Sequence, residues 1–235
     1  MKKMMTGVVA TAMLVAGVAV AADVDLTVDV ASAYVFRGDT LNDGPVVQPG
    51  LEVALPHGFA LGVWGNIDID DYDGALEEGQ FSEIDVYVSY ALPFELLDIS
   101  IGYTEYTYPS GGGDADREVD IKFGYKVGPV DVGFGVFYGV DGGIEKSLYA
   151  ELSLGSSYDV GAVTVDVGAT AGYLDPDEGE SGFSGYSLSA GVSYGILGAK
   201  VTYYGQIDDE VLVDVGDGGT YDVEVVGMLS LALSF

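Results

Sequence analysis

Twelve stretches of the chain alternate apolar and polar side chains with a period of two, the pattern of β-strands with one apolar face. They run over approximately 24–37, 46–55, 59–69, 81–92, 97–108, 117–126, 130–139, 147–155, 163–173, 183–194, 199–206 and 221–235. The last shows the pattern most fully. Phe235, Leu233, Leu231, Leu229, Gly227, Val225, Val223 and Tyr221 share one face, and Ser234, Ala232, Ser230, Met228, Val226, Glu224 and Asp222 the other. The apolar face starts and ends on a ring, as in a strand that crosses a bilayer with an aromatic residue at each interface. A strand of a soluble sandwich rarely keeps the alternation so long, since ordinary strands run about 5–6 residues. The first stretch places Val24, Leu26, Val28, Val30, Tyr34 and Phe36 on the lipid face and Arg37 on the opposite one. In the fifth, Glu105 falls in phase with Ile99, Ile101 and Tyr103. A bulge there, or emergence from the membrane near Glu105, accounts for it.

The connections sort by parity. Those at 38–45, 70–80, 109–116, 140–145, 174–182 and 207–220 are mostly long and hold 20 acidic residues and no basic one. Those at 56–58, 93–96, 127–129, 156–162 and 195–198 are mostly short and hold only Glu95 and Asp159. An even strand number puts both termini beside the short turns. The expectation is an all-β fold: a transmembrane antiparallel up-and-down β-barrel of about 12 strands, with long acidic extracellular loops and short periplasmic turns.

Residues 1–21 are expected to be a cleaved signal peptide, because Lys2 and Lys3 precede an apolar run that ends in Ala19-Val20-Ala21. Residues 22–235 then form one barrel domain located in the bacterial outer membrane. The chain has no cysteine, which excludes a lipid anchor on cysteine and a disulfide framework. With 38 acidic and 8 basic residues the net charge is −30, which opposes nucleic-acid binding. Yet 49% of the residues are hydrophobic, so the chain is not disordered. Charge and apolar surface must be separated in space.

An inward charge escapes the cost of facing lipid, which is about 2–4 kcal/mol for Arg or Lys at mid-depth. The residues expected to line the lumen are Asp29, Arg37, Gln48, Glu52, Trp64, Asn66, Asp85, Tyr87, Asp120, Lys122, Glu151, Asp166, Lys200, Tyr204 and Glu224. Glu83, Glu118 and Tyr149 lie on the same face. Acidic side chains outnumber basic ones, so an open lumen would favour cations mildly. Arg37 is read either as a buried ion-pair partner, with Glu52 or Asp85 as candidates, or as a direct solute contact.

The run AYVFRGDTLNDGPVVQPGLEV, with Tyr34, Phe36, Arg37, Gly38, Thr40, Pro45, Gln48 and Gly50, resembles the amino-terminal signature of the TorF-type family of proteobacterial porin-like proteins. Serine is usual where Thr40 stands. The resemblance implies an outer-membrane barrel with a transport role and no assigned solute. Phe235 resembles the terminal aromatic residue read by the outer-membrane assembly machinery. Pro45 and Pro49 remove backbone donors, so an irregular start is expected for the strand at 46–55.

The only histidine, His57, falls in a short turn away from the acidic loops, so no serine–histidine pair can form among them and no enzyme is expected. Cys/His metal clusters cannot form. The segment Asp68-Ile69-Asp70-Asp71-Tyr72-Asp73-Gly74 lacks the spacing and terminal Glu of a calcium loop, so no metal or other cofactor is expected. Two functions fit: passive diffusion of ions or small polar solutes through a monomer, or a structural or adhesive barrel that anchors acidic loops. Expected partners are outer-membrane lipids and lipopolysaccharide, the assembly machinery, and small solutes or cations.

Overall fold

The computed structural model describes residues 23–72, 74 and 76–235. The expected signal peptide and Asp73 lie outside the described residues. Strands form where the alternation is: β1 (Asp23–Ala31), β2 (Tyr34–Phe36), β3 (Asp39–Asn42), β4 (Val46–Ala54), β5 (Phe59–Asp68), β6 (Phe81–Leu92), β7 (Asp98–Thr107), β8 (Asp116–Val127), β9 (Val130–Asp141), β10 (Leu148–Val160), β11 (Val163–Asp175), β12 (Gly182–Tyr194), β13 (Leu197–Gln206) and β14 (Val225–Ser234). Twelve of them close into an antiparallel barrel, each paired with its neighbour in the chain, and β14 returns to β1. The β2–β3 hairpin stands apart as a second, two-stranded sheet.

Two-residue turns join β8 to β9, β10 to β11 and β12 to β13. Their first residues, Gly128, Gly161 and Gly195, have φ of 59°, 70° and 60°, which suits the tight turns that match strand twist. Both ends of the wall, at Asp23 and Ser234, lie on this side. The longer connections all lie at the opposite rim, as the parity of the loops requires. The register of β1 with β4 runs unbroken through Pro49, while the ladder of β4 with β5 skips Gln48 and Pro49 without a change of register.

The outer face carries an exposed apolar band, including Leu61, Val86, Ile101, Leu152, Val167, Leu188, Val201 and Leu229. Rings flank it at both ends. Phe59, Tyr90, Tyr125, Tyr158, Tyr194 and Phe235 sit near the short turns, and Tyr103, Tyr138, Tyr173, Phe183, Tyr186 and Tyr203 near the long loops. An apolar belt between two aromatic girdles is the surface a bilayer selects. Glu105 pairs in regular register with Val86 and Arg117, so there is no bulge in β7. Its carboxylate meets Arg117 Nε at 3.0 Å on the outer face, so the charge in phase with the apolar residues is paired.

Two expectations are corrected. The strand expected over 24–37 stops at Ala31, and Tyr34 and Phe36 do not face lipid. The chain turns inward there, where ring stacking and a carboxylate satisfy Tyr34 better than hydrocarbon satisfies its hydroxyl. The last strand begins at Val225, and Tyr221 is buried, donating its hydroxyl to the Tyr204 carbonyl oxygen at 3.1 Å. The buried core is correspondingly small and sits inside the barrel mouth: Ala31, Ala33, Tyr34, Val46 and Val226.

Candidate functional site: a hairpin across the lumen

The β2–β3 hairpin grows from the connection between β1 and β4 and turns at Arg37-Gly38, with φ of 55° and 101°. Gly38 packs so close to Leu212 that a Cβ there would approach Leu212 Cδ2 to 2.9 Å. At the tip, Arg37 donates Nη1 and Nη2 to Glu118 Oε2 and Oε1 at 2.7 and 2.9 Å. Its guanidinium also lies 4.5 Å from the ring centres of Phe137 and Tyr149 and 4.7 Å from that of Phe36. Glu118, Phe137 and Tyr149 belong to β8, β9 and β10. In the closed order β9 is the strand diametrically opposite β1. The hairpin therefore crosses the whole lumen. A planar fork that binds a carboxylate in two places while stacking on rings is a role that lysine cannot fill.

Both flanks are tied as well. On one, Tyr34 donates its hydroxyl to Glu83 Oε2 at 2.9 Å and its ring lies 5.3 Å from that of Trp64. On the other, Thr40 N donates to the Thr220 carbonyl oxygen, and Thr40 Oγ1 accepts from Asp222 N and Val223 N at 3.3 and 3.0 Å. A serine would offer the same hydroxyl, so the departure at Thr40 is conservative. Thr220 also donates to Asp39. At the root, Asn42 Nδ2 donates to Asp68 Oδ1 at 2.8 Å, Asn66 Nδ2 to the same oxygen at 2.9 Å, and Gln48 Nε2 to Asn66 Oδ1 at 3.0 Å. Asn42 and Asn66 are fully buried, so this network stands in for water under the hairpin.

The expected lumen residues fall into groups. Gln48, Trp64 and Asn66 support the hairpin root. Asp85 lies beside Glu83 under Tyr34, and its Oδ1 has no hydrogen-bond partner among the described residues. Arg37 reaches the lumen from the hairpin rather than from the wall, and its partner is Glu118, not Glu52 or Asp85. Deeper in the wall, Tyr87 Oη donates to Glu52 at 3.0 Å, Lys122 lies 3.4 Å from Asp120, and Ser157 donates to Asp166. Asp29 faces Gln48 and Ser230 across β4 and β14; Glu151 faces Gly135 and Gly172; Lys200 faces Gly191 and Met228. Tyr204 N bonds the Glu224 carbonyl oxygen, but Glu224 precedes β14 and its side chain is exposed. Phe137, Tyr106 and Asn42 complete the site without having been singled out. Phe137 had a signal, a large ring on the polar parity of its strand. Tyr106 donates to Glu118 Oε1 at 3.0 Å.

Above the hairpin a vestibule of about 500 Å³ opens toward the long loops. Burial pushes the Asp39 carboxyl up there, with the Thr220 hydroxyl and Arg37 opposing. Burial and the adjoining Asp116 carboxylate, which accepts the Tyr108 hydroxyl at 2.7 Å, raise the Tyr108 phenol. No group of carboxylates and histidine suited to a metal ion occurs among the described residues.

A closed twelve-strand wall, apolar outside, charged inside and crossed by one hairpin, defines a porin-like barrel. Residues 15–194 match a bacterial family of unknown function, Gcw_chp, and the chain belongs to that family. No curated protein sequence matches it. Among solved structures, the NanC porin aligns over 90% of this chain and 98% of its own at a TM-score of 0.51 and 11% identity. The KdgM porin, solved with disordered oligogalacturonate, aligns over 91% and 98% at 0.51 and 9%. These likenesses are of fold.

Proposed function

We propose that the protein is an outer-membrane channel for passive diffusion of ions and small polar solutes, mildly selective for cations, with the hairpin as its constriction. The observation that carries this reading is the lumen wall beneath the hairpin, which is open to solvent-sized space. The Lys122 side chain points inward at mid-strand and is 53% exposed. Such exposure on the inner face needs solvent inside the barrel. The unequal numbers of carboxylates and bases on the wall supply the cation preference. The porin-like fold, and the resemblance of Tyr34–Gly50 to the TorF-type signature, support a transport role. The aromatic girdles suit outer-membrane lipid and lipopolysaccharide, and Phe235 suits the assembly machinery. The reading is of a monomer with no catalytic step.

The test is conductance and reversal potential of the purified barrel in a planar bilayer. Cation preference that weakens as salt rises is the expected result. Replacing Asp29 and Glu52 by their amides should reduce the preference, while Glu95→Gln, in a short turn, should leave it unchanged. Clear anion preference overturns the electrostatic part. The tight anchorage of the hairpin favours one rival, a plugged barrel that only displays acidic loops, and complete absence of conductance would establish it.

A further inference from the structure

The vestibule above the hairpin has more chemistry than a passage needs. Its volume of about 500 Å³ falls within the roughly 300–1,000 Å³ usual for small-molecule sites. Its apolar lining is aromatic in large part, from Phe36, Tyr106, Tyr108 and Tyr149, with Leu41 and Leu212 beside them. Its charge is unbalanced. Arg37 is the one base that lines it, and Glu118 already binds that guanidinium in two places. The carboxylates of Asp39 and Asp116 also line it, and among the described residues they accept only from hydroxyl and backbone donors, those of Thr220, Tyr108 and Gly143. Independently of these acids, Ser184 lines the same space. Ser184 is 3% exposed, and its Oγ has no hydrogen-bond partner among the described residues. A buried polar atom without a partner costs stability unless something supplies one.

We propose that this vestibule binds a small organic amine with an apolar body, its ammonium drawn by the carboxylates of Asp39 and Asp116, its body laid on the rings, with Ser184 at the edge of the same space. The inference deepens the channel reading by naming a class of solute, and it rests on that reading. Rings and carboxylates together favour an ammonium over an isosteric alcohol, because cation–π attraction and charge-assisted hydrogen bonds both require the positive charge. An anion of the same shape meets carboxylates that no base neutralises, while the one guanidinium in the lining is already held by Glu118.

Three isosteric probes separate the possibilities: 2-phenylethylamine, 2-phenylethanol and phenylacetate, titrated calorimetrically into the full folded barrel in detergent. The amine should bind, the alcohol about tenfold more weakly, and phenylacetate not at all. Asp39→Asn with Asp116→Asn should weaken the amine by about tenfold or more and leave the alcohol unchanged. If that double variant fails to show the heat-modifiable folded band, Asp116→Asn alone serves, with a smaller loss in the same direction. Equal binding of amine and alcohol overturns the proposal, and so does amine binding indifferent to the carboxylates. A barrel that conducts but does not bind the amine defeats this inference alone. One that binds the amine with these preferences and does not conduct supports the site and defeats the channel reading.

Discussion

Arg37 and Glu118 stand 81 positions apart in the chain, and their two hydrogen bonds of 2.7 and 2.9 Å tie a hairpin tip to the far wall of the barrel. The Glu118 side chain is only 4% exposed, so loss of its partner strands a charge inside the mouth. Arg37→Ala should therefore release the tip and cost about 3–5 kcal/mol, the usual penalty for breaking a buried pair from one side. Single-channel conductance should rise and become noisier. Adding Glu118→Ala should recover part of the lost stability without restoring the conductance. A conductance unchanged in Arg37→Ala would show that the tip does not limit flow.

Gly172 on β11 lies directly under the Tyr149 ring, and a Cβ there would overlap the phenol. The ring must then tilt away from Arg37, which it now faces at 4.5 Å. Gly172→Ala should lower the temperature at which the folded band is lost on gels, consistent with about 1–3 kcal/mol of overpacking. The change in conductance should have the same sign as that of Arg37→Ala. Gly113→Ala, in a loop where a Cβ meets nothing, is the matched control.

The amide network at the hairpin root has one weak point. Asp68 is 1% exposed and receives Asn42 and Asn66 on Oδ1, while Oδ2 has no hydrogen-bond partner among the described residues. Asn42→Ala removes one of the two donors and should destabilise the barrel by about 1–3 kcal/mol. Asn42→Asp should be worse, because it sets one carboxylate against another in a site closed to water. Thermal unfolding followed by circular dichroism reads both.

The absence of cysteine allows a clean test of orientation. Glu178→Cys, in the exposed connection 176–181, should react on intact cells with a maleimide that cannot cross the outer membrane. Glu95→Cys, in a short turn, should react only after the cells are opened. The reverse pattern would invert the orientation.

Alternation made the wall legible, because lipid on one side and solvent on the other impose opposite demands on consecutive residues. From β4 to β13 the expected and observed strands differ mainly in length, as at β10, which runs on to Val160. The hairpin was not legible in the alternation because Tyr34 and Phe36 continue the phase of β1, and a ring suits the inside of the mouth as well as a bilayer. The small residues Ser32 and Ala33, where the chain turns inward, were the available signal. Glu118 as partner of Arg37 could not be read from local pattern, since it depends on which wall the hairpin reaches. Leu212, an apolar residue within an acidic connection, marked a segment that folds back on the barrel, and it is buried there with Tyr221.

Thr40 belongs to the connection that follows the first wall strand, and its hydroxyl receives the amides of residues 182 and 183 positions later, just ahead of the last strand. The seam there is made by β14 on β1, sealed at its end by Phe235 N to the Val24 carbonyl oxygen at 2.9 Å. Capture of the hairpin on that flank must therefore wait until synthesis and insertion are all but complete. A chain that stalls before β14 has an unpaired edge and an uncaptured hairpin together, the state most open to misassembly and proteolysis. Joining the two events makes the folded mouth a record that the wall has closed: a barrel with a docked hairpin is one that has been finished.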